Sequence, residues 1–184
     1  FLMSESNQQA EPLAKLLNQK NNERKDIVNT ITEEAIEMIE SDEAIKNSLV
    51  LVVAKEGWNA GVVGIVASRL VGKYYKPTII LSLDHEKGTA KGSARSIEGF
   101  HLYDELAKNR DILPHFGGHP MAAGMTLPLK YVDELRKRLH NQATAVLTDE
   151  QLVQKLYIDV PIDLSEVTVE AIEEFEKSVA KAKK

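Results

Sequence analysis

Apolar residues are arranged in two ways along this chain, as helical stripes towards its ends and as short continuous blocks in its middle. From residue 10 to about 42, Leu13, Leu16, Leu17, Ile27, Ile31, Ala35, Met38 and Ile39 recur near helical spacing, while Asn, Gln, Glu and Lys fill the other face. This predicts one long helix. Its stripe thins between Lys20 and Asp26, where KNNERKD is wholly polar. Two roles stay open at this point, a helix that bridges two domains and an ordinary surface helix.

The run Leu49-Val50-Leu51-Val52-Val53-Ala54 is short, apolar and rich in β-branched residues, the pattern of a fully buried strand. Lys55 to Gly61 makes a glycine-bounded turn, and Val62 to Tyr75 reads as a helix with Val63, Ile65, Val66, Leu70 and Val71 available for burial. Thr78 to Leu83 is a second buried strand. Strand, helix and strand in that order predict a parallel pair joined by a right-handed crossover. The helix follows directly from the turn, so its free amino-terminal N–H groups are available to an anion.

Further along, Thr89 to Ser96 reads as a strand of small and polar residues. Ile97 to Lys108 gives a loop and a short helix, and Ala122 to Leu127 a strand leaving a glycine loop. Pro128 opens a helix to about Ala145, since proline suits a first helical turn. Tyr157 to Ile162 alternates like a strand outside that core, and Val169 to Lys181 is a last amphipathic helix. The expected fold class is α/β, a mixed β-sheet flanked by helices.

At 184 residues, 43% hydrophobic and 28% charged, the chain fits one domain with appendages and can bury a core. No apolar run approaches the roughly 18 residues of a membrane helix, so no membrane partner is expected. Phe1 is not an initiator methionine and Glu5 precedes any long apolar stretch, which suggests a piece of a longer chain without a signal peptide. With no cysteine, disulfides and thiolate metal sites are excluded, and a cytoplasmic location is expected. The net charge of −5 hides an asymmetry. Residues 51–140 carry 13 Lys and Arg against 9 Asp and Glu, whereas residues 1–50 carry 5 against 10 and residues 141–184 carry 5 against 9. A positive centre between acidic flanks suits an anionic ligand without identifying it.

Two stretches in that centre carry candidate chemistry. Lys91-Gly92-Ser93-Ala94-Arg95-Ser96 offers an ammonium, a guanidinium and two hydroxyls, and in extended geometry Lys91, Ser93 and Arg95 share a face. A guanidinium fork matches phosphate geometry, but a solvated strand edge explains the same residues. In Phe116-Gly117-Gly118-His119-Pro120-Met121-Ala122-Ala123-Gly124 the glycines bare the main chain of a loop. Bare N–H groups can cradle phosphate oxygens, while a tight turn between buried elements also fits. His119 can donate to a phosphate or a leaving oxygen, or simply cap its turn. Trp58 anchors its loop or stacks on a base, and Asn59 faces the same cleft or fixes the turn. His101 and His115 are expected to be structural. No divalent-metal cluster, phosphate-loop signature or nucleophile elbow occurs, so a binding surface is visible without a catalytic centre.

Taken together, GWNAGVVGIVASRL (57–70), KPTIILS (76–82), GSARSIEGFHLYDEL (92–106) and FGGHPMAAGMTL (116–127) resemble the DHHA1 domain of the bacterial RecJ family of single-strand-specific exonucleases, the accessory half of the DHH phosphoesterase core. The resemblance implies three parts: residues 1–46 as a connector helix from a preceding catalytic DHH domain, 47–147 as the DHHA1 domain, and 148–184 as the incomplete start of an oligonucleotide-binding domain. It implies that the preceding domain holds Mn2+ or Mg2+ and that this chain holds no metal. Ser93, Arg95 and Ser96 would then grip phosphates of single-stranded DNA near its 5′ end, and Lys91, on the same face, is a further phosphate-binding candidate. Gly117, Gly118 and His119 would bring N–H groups and an assisting imidazole to the phosphate near the metals, and Asn59 would face the same groove. Implied partners are single-stranded DNA, the DHH domain and single-strand-binding protein. Alone, this chain is expected not to hydrolyse DNA. Two alternatives remain, the DHHA1 half of an oligoribonuclease or cyclic-dinucleotide phosphodiesterase, and a non-catalytic nucleic-acid-binding module.

Overall fold

The computed structural model describes residues 3–4, 6–156, 158, 161–163 and 167–182, with side chains as far as residue 176. They divide into two units, residues 1–153 and residues 154–184.

The first unit is built on five strands in the order β1-β2-β3-β5-β4. β1 (Leu51–Glu56) and β2 (Thr78–Asp84) are parallel, as their apolar blocks and the intervening helix α3 (Val63–Tyr74) predict. β3 (Thr89–Arg95), β5 (Ala122–Pro128) and β4 (His115–His119) continue the sheet in antiparallel fashion. The sheet is therefore mixed, because a helical crossover joins β1 to β2 while turns and short segments join the rest.

Each side of the sheet has its own core. On one side α3 lies over β2 and β3, and its Val63, Val66, Ala67 and Leu70 share one buried cluster with Leu51, Val53 and Ile80. Helix α1 (Asn7–Ser41) packs on α3 through Val28, Ile31, Ala35 and Ile39. On the other side α4 (Leu102–Ala107) and α5 (Val132–Val146) cover Val52, Ile79, Leu81, Ala94, Ala123, Met125 and Leu127. Between α1 and β1 runs the single turn α2 (Glu43–Lys46), capped by the Asp42 carboxylate accepting from the Ala44 and Ile45 N–H groups.

Three expectations are corrected. Only the second half of α1 is a core helix: Leu13, Leu16 and Leu17 are all exposed, so the first half of the stripe packs on no core among the described residues of this unit. The glycine stretch is not a loop. His115–His119 is an edge strand, and the only turn in the stretch is at Pro120 and Met121, between β4 and β5. Pro128 closes β5 and precedes a 3-10 turn at Leu129–Tyr131, so α5 itself begins at Val132.

The second unit carries helix α6 (Val169–Ala182), close to the predicted bounds. Thr168 caps it, its hydroxyl accepting from the Ala171 N–H. Of the strand expected over Tyr157–Ile162, residues 157, 159 and 160 lie outside the described residues.

Candidate functional site

In a strand, successive side chains alternate between faces. Ala90, Gly92 and Ala94 of β3 are buried against α4 and α5, as are Ala123, Met125 and Leu127 of β5. The alternate positions form the opposite face. Their register makes three rows across β3, β5 and β4: Arg95–Ala122–His119, Ser93–Gly124–Gly117 and Lys91–Thr126–His115. On this side α3 packs over β2 and β3, half-burying Ser93 and Arg95, while the rows lie open over β5 and β4 beside it. The result is a groove of about 530 Å³ lined by Ala60, Lys91, Ser93, His115, Phe116, Gly124 and Thr126, among others.

The wall of the groove is the amino end of α3. Val62 caps that helix without a side-chain hydrogen bond. A Cβ placed on Gly64 would lie 3.2 Å from Arg95 Nη2 and 3.4 Å from Ser93 Oγ, so both side chains nestle against the first turn. Unpaired N–H groups at a helix amino end favour an anion, and here a guanidinium and a hydroxyl stand beside them. Arg95 Nη1 donates to the Ala94 carbonyl at 2.8 Å, which steadies the fork. Among the described residues Arg95 has no carboxylate partner; Asp104 pairs instead with His101 at 3.4 Å.

The floor is bare main chain at Gly117 and Gly124, with the Ala122 methyl between Arg95 and His119. A Cβ on Gly117 would meet nothing within 4 Å, and one on Gly124 only the Gly92 carbonyl oxygen at 4.0 Å. Neither glycine is required by crowding or by positive φ. Gly118 differs: its Cβ would collide with the Ala122 carbonyl oxygen and lie 2.6 Å from the Ala123 Cα. It permits close strand approach and does not face the groove. His119 stands at the end of β4 beside a turn held firmly, with Ser96 N–H donating to the Met121 carbonyl at 3.0 Å and Leu102 N–H to the Pro120 carbonyl at 2.9 Å. Its ring is exposed, two strand spacings, or about 10 Å, across the floor from Arg95.

Of the residues singled out from sequence, Lys91, Ser93, Arg95, Gly117 and His119 are thus brought onto one face. Ser96 is not. It is buried, and its hydroxyl donates to the Phe100 carbonyl at 2.6 Å, so it stabilises the chain after β3. Asn59 accepts from the Gly61 N–H at 2.8 Å and shapes the turn before α3. Trp58 is buried and donates to Glu34 at 2.6 Å, fastening that turn to α1. That bond, and then Lys55 at 3.1 Å, lowers the pKa of the Glu34 carboxyl. His115, expected to be structural, is exposed and lines the groove beside Thr126. The period-two spacing His115, Gly117, His119 is the signal that finds it, once the stretch is read as a strand.

Fold and face together define a class: a mixed-sheet α/β domain that lays a cationic, glycine-floored strand surface beside a helix amino end. The chain belongs to the DHHA1 domain family, whose model matches residues 46–177. It is 52% identical over 174 residues to the single-stranded-DNA-specific exonuclease RecJ of Bacillus subtilis, a match covering 95% of this chain and 22% of that protein. It is 32% identical over 176 residues to RecJ of Escherichia coli, covering 92% of this chain and 30% of that one. Among solved structures it is similar to RecJ from Thermus thermophilus in complex with Mn2+, with a TM-score of 0.68 and 22% identity over 78% of this chain and 20% of that one. At that identity the likeness is one of fold. The chain spans between about a fifth and a third of the length of these relatives.

Proposed function

We propose that this chain is the strand-holding wall of a metal-dependent 5′→3′ exonuclease acting on single-stranded DNA in repair and recombination. The observation that carries the reading is the convergence of Arg95, Ser93 and the α3 amino end on one side of a low floor made by Ala122, Gly124 and Gly117, with His119 on the other. A phosphodiester backbone fits such a floor, because glycine lets a phosphate approach the main chain closely. Arg95 supplies a planar fork with charge-assisted hydrogen bonds, and Ser93 adds a neutral donor beside it. His119 holds a donor where negative charge develops on a phosphoryl oxygen. These groups bind and orient the strand.

Among the described residues no group of three or more His, Asp or Glu can hold a metal ion. We assign the Mn2+ or Mg2+ of the solved RecJ structures to a DHH domain of the same polypeptide, outside the described residues. That domain, single-stranded DNA and single-strand-binding protein are the proposed partners. No helix among the described residues is long and apolar enough to cross a membrane, and we propose a cytoplasmic site of action. The 52% identity to a RecJ exonuclease favours this reading over a small-nucleotide phosphodiesterase.

The test is His119→Ala in the longer enzyme, read by single-turnover cleavage of a 5′-phosphorylated oligonucleotide. Turnover is expected to fall by about 10²-fold, the effect of losing one transition-state donor, with the melting temperature unchanged. Full activity in that variant would remove His119 from the site. Lost activity with a collapsed melt would make it a turn-holding residue instead.

A further inference from the structure

We propose a second phosphate contact in the groove, formed by Lys91, Thr126 and His115, which engages the strand beyond the Arg95–His119 row. It rests on the strand-holding reading above and extends it to a position that reading leaves unused. Lys91, Thr126 and His115 are direct cross-strand partners, so their side chains leave the sheet on the same face. All three line the groove. Lys91 and His115 are exposed, and neither has a carboxylate partner among the described residues.

The spacing gives this row its role. Lys91 lies four residues along β3 from Arg95, which places the two cationic rows about 13 Å apart at a strand's rise per residue. Only Ser93, Gly124 and Gly117 lie between them. Between the two rows the surface is therefore bare main chain across β5 and β4, with the Ser93 hydroxyl at its β3 end. Nothing in the fold demands the bare row, since added methyl groups on Gly117 and Gly124 would meet no crowding. A polyanion whose charges recur along an extended chain suits that pattern, with its sugars lying over the glycines. A ligand with one phosphate, or with two adjacent ones, is too short to reach both rows.

The inference makes the effect of Lys91 depend on ligand length. Binding of a 5′-phosphorylated dinucleotide and of a decanucleotide to the 184-residue chain would be measured by fluorescence anisotropy at low salt. Lys91→Ala is expected to weaken decanucleotide binding about tenfold, the scale of one charge-assisted contact, and to flatten the slope of log affinity against log salt by about 0.7. Dinucleotide binding should stay unchanged. His115→Ala should repeat the pattern at smaller size, and Lys91→Arg should restore the decanucleotide. Arg95→Ala should weaken both ligands. Equal losses on both ligands in Lys91→Ala, or none on either, would overturn the second contact while leaving the Arg95 row intact. Wild-type affinity in Arg95→Ala, or no binding by the unaltered chain, would instead overturn the strand-holding reading and this contact with it.

Discussion

The two faces of β3, β5 and β4 are made from the same three strands and differ in almost every physical respect. One buries Ala90, Ala94, Ala123, Met125 and Leu127 against α4 and α5. The other carries Lys91, Ser93, Arg95, Gly117, Gly124, Thr126, His115 and His119 beside α3, with Ser93 and Arg95 half-buried against its first turn. Glycine occurs on both and means opposite things. On the packed face a Cβ at Gly92 would collide with the Ile80 carbonyl oxygen, so glycine there is a condition of folding. On the open face Gly117 has empty space above it, so glycine there is a condition of access. A strand's alternation therefore sorts stability from function residue by residue, and this contrast can be tested by substitution.

The largest effect is expected at Gly92. An alanine would drive β2 and β3 apart, and Gly92→Ala should cost about 4 kcal/mol or more, in the exceptional range for one substitution. Gly118→Ala meets the Ala122 carbonyl on an edge strand that can yield, so about 2 kcal/mol is expected. Denaturant unfolding of both variants checks the order, and a Gly92→Ala midpoint near that of the unaltered chain would break the comparison. Gly117→Ala should do the reverse. Its unfolding free energy should stay within about 0.5 kcal/mol of the parent. Single-strand affinity should nonetheless fall about tenfold, because a methyl group raises the floor under the backbone. Unaltered binding would mean that the strand does not lie on the glycines.

Two serines sharpen the same distinction. Ser96→Ala should lower stability by about 1–3 kcal/mol, since the buried Phe100 carbonyl loses its donor, and should leave DNA affinity unchanged. Ser93→Ala should lower affinity and spare the melt. Equal behaviour of the two in both assays would erase the separation of faces. The smallest effect concerns pH. Glu34 has its pKa lowered by the Trp58 hydrogen bond and then by Lys55. A carboxylate with a depressed folded-state pKa contributes stability that is present above its unfolded value and is lost as pH falls through the folded one. Trp58→Phe removes that donor, so its melting deficit should be present at neutral pH and narrow in acid. A deficit independent of pH would assign the whole effect to ring packing.

Much of the fold is legible in the sequence because its signals are local. The apolar blocks at Leu49–Ala54 and Thr78–Leu83 with a helix between them predict the parallel pair, and the structure contains it. The alternation of Lys91, Ser93 and Arg95 predicts a shared face, and the register provides one. The glycine stretch reads as a loop for a physical reason. Glycine has no side chain to reveal alternation, so His115-Phe116-Gly117-Gly118-His119 carries too little pattern to be recognised as a strand. His115 is lost from the site with it. Ser96 is misplaced because the next residue in a strand motif looks chemically equivalent, whereas β3 ends at Arg95 and the chain turns inward.

The sequence by itself determined which segments become most of the strands and helices, which residue types can meet a phosphate, and which family the motifs resemble. The first follows from spacing along the chain, the second from side-chain chemistry, and the third from the motifs themselves. The tertiary structure alone decided which polar residues meet. Arg95 and His119 are 24 positions apart and face one another only because β5 lies between their strands. It also decided that Leu13, Leu16 and Leu17 find no core in this unit, because α3 is too short to underlie the whole of α1. Periodicity reports that a residue can be buried. Only the arrangement of neighbours supplies, or withholds, the surface that buries it.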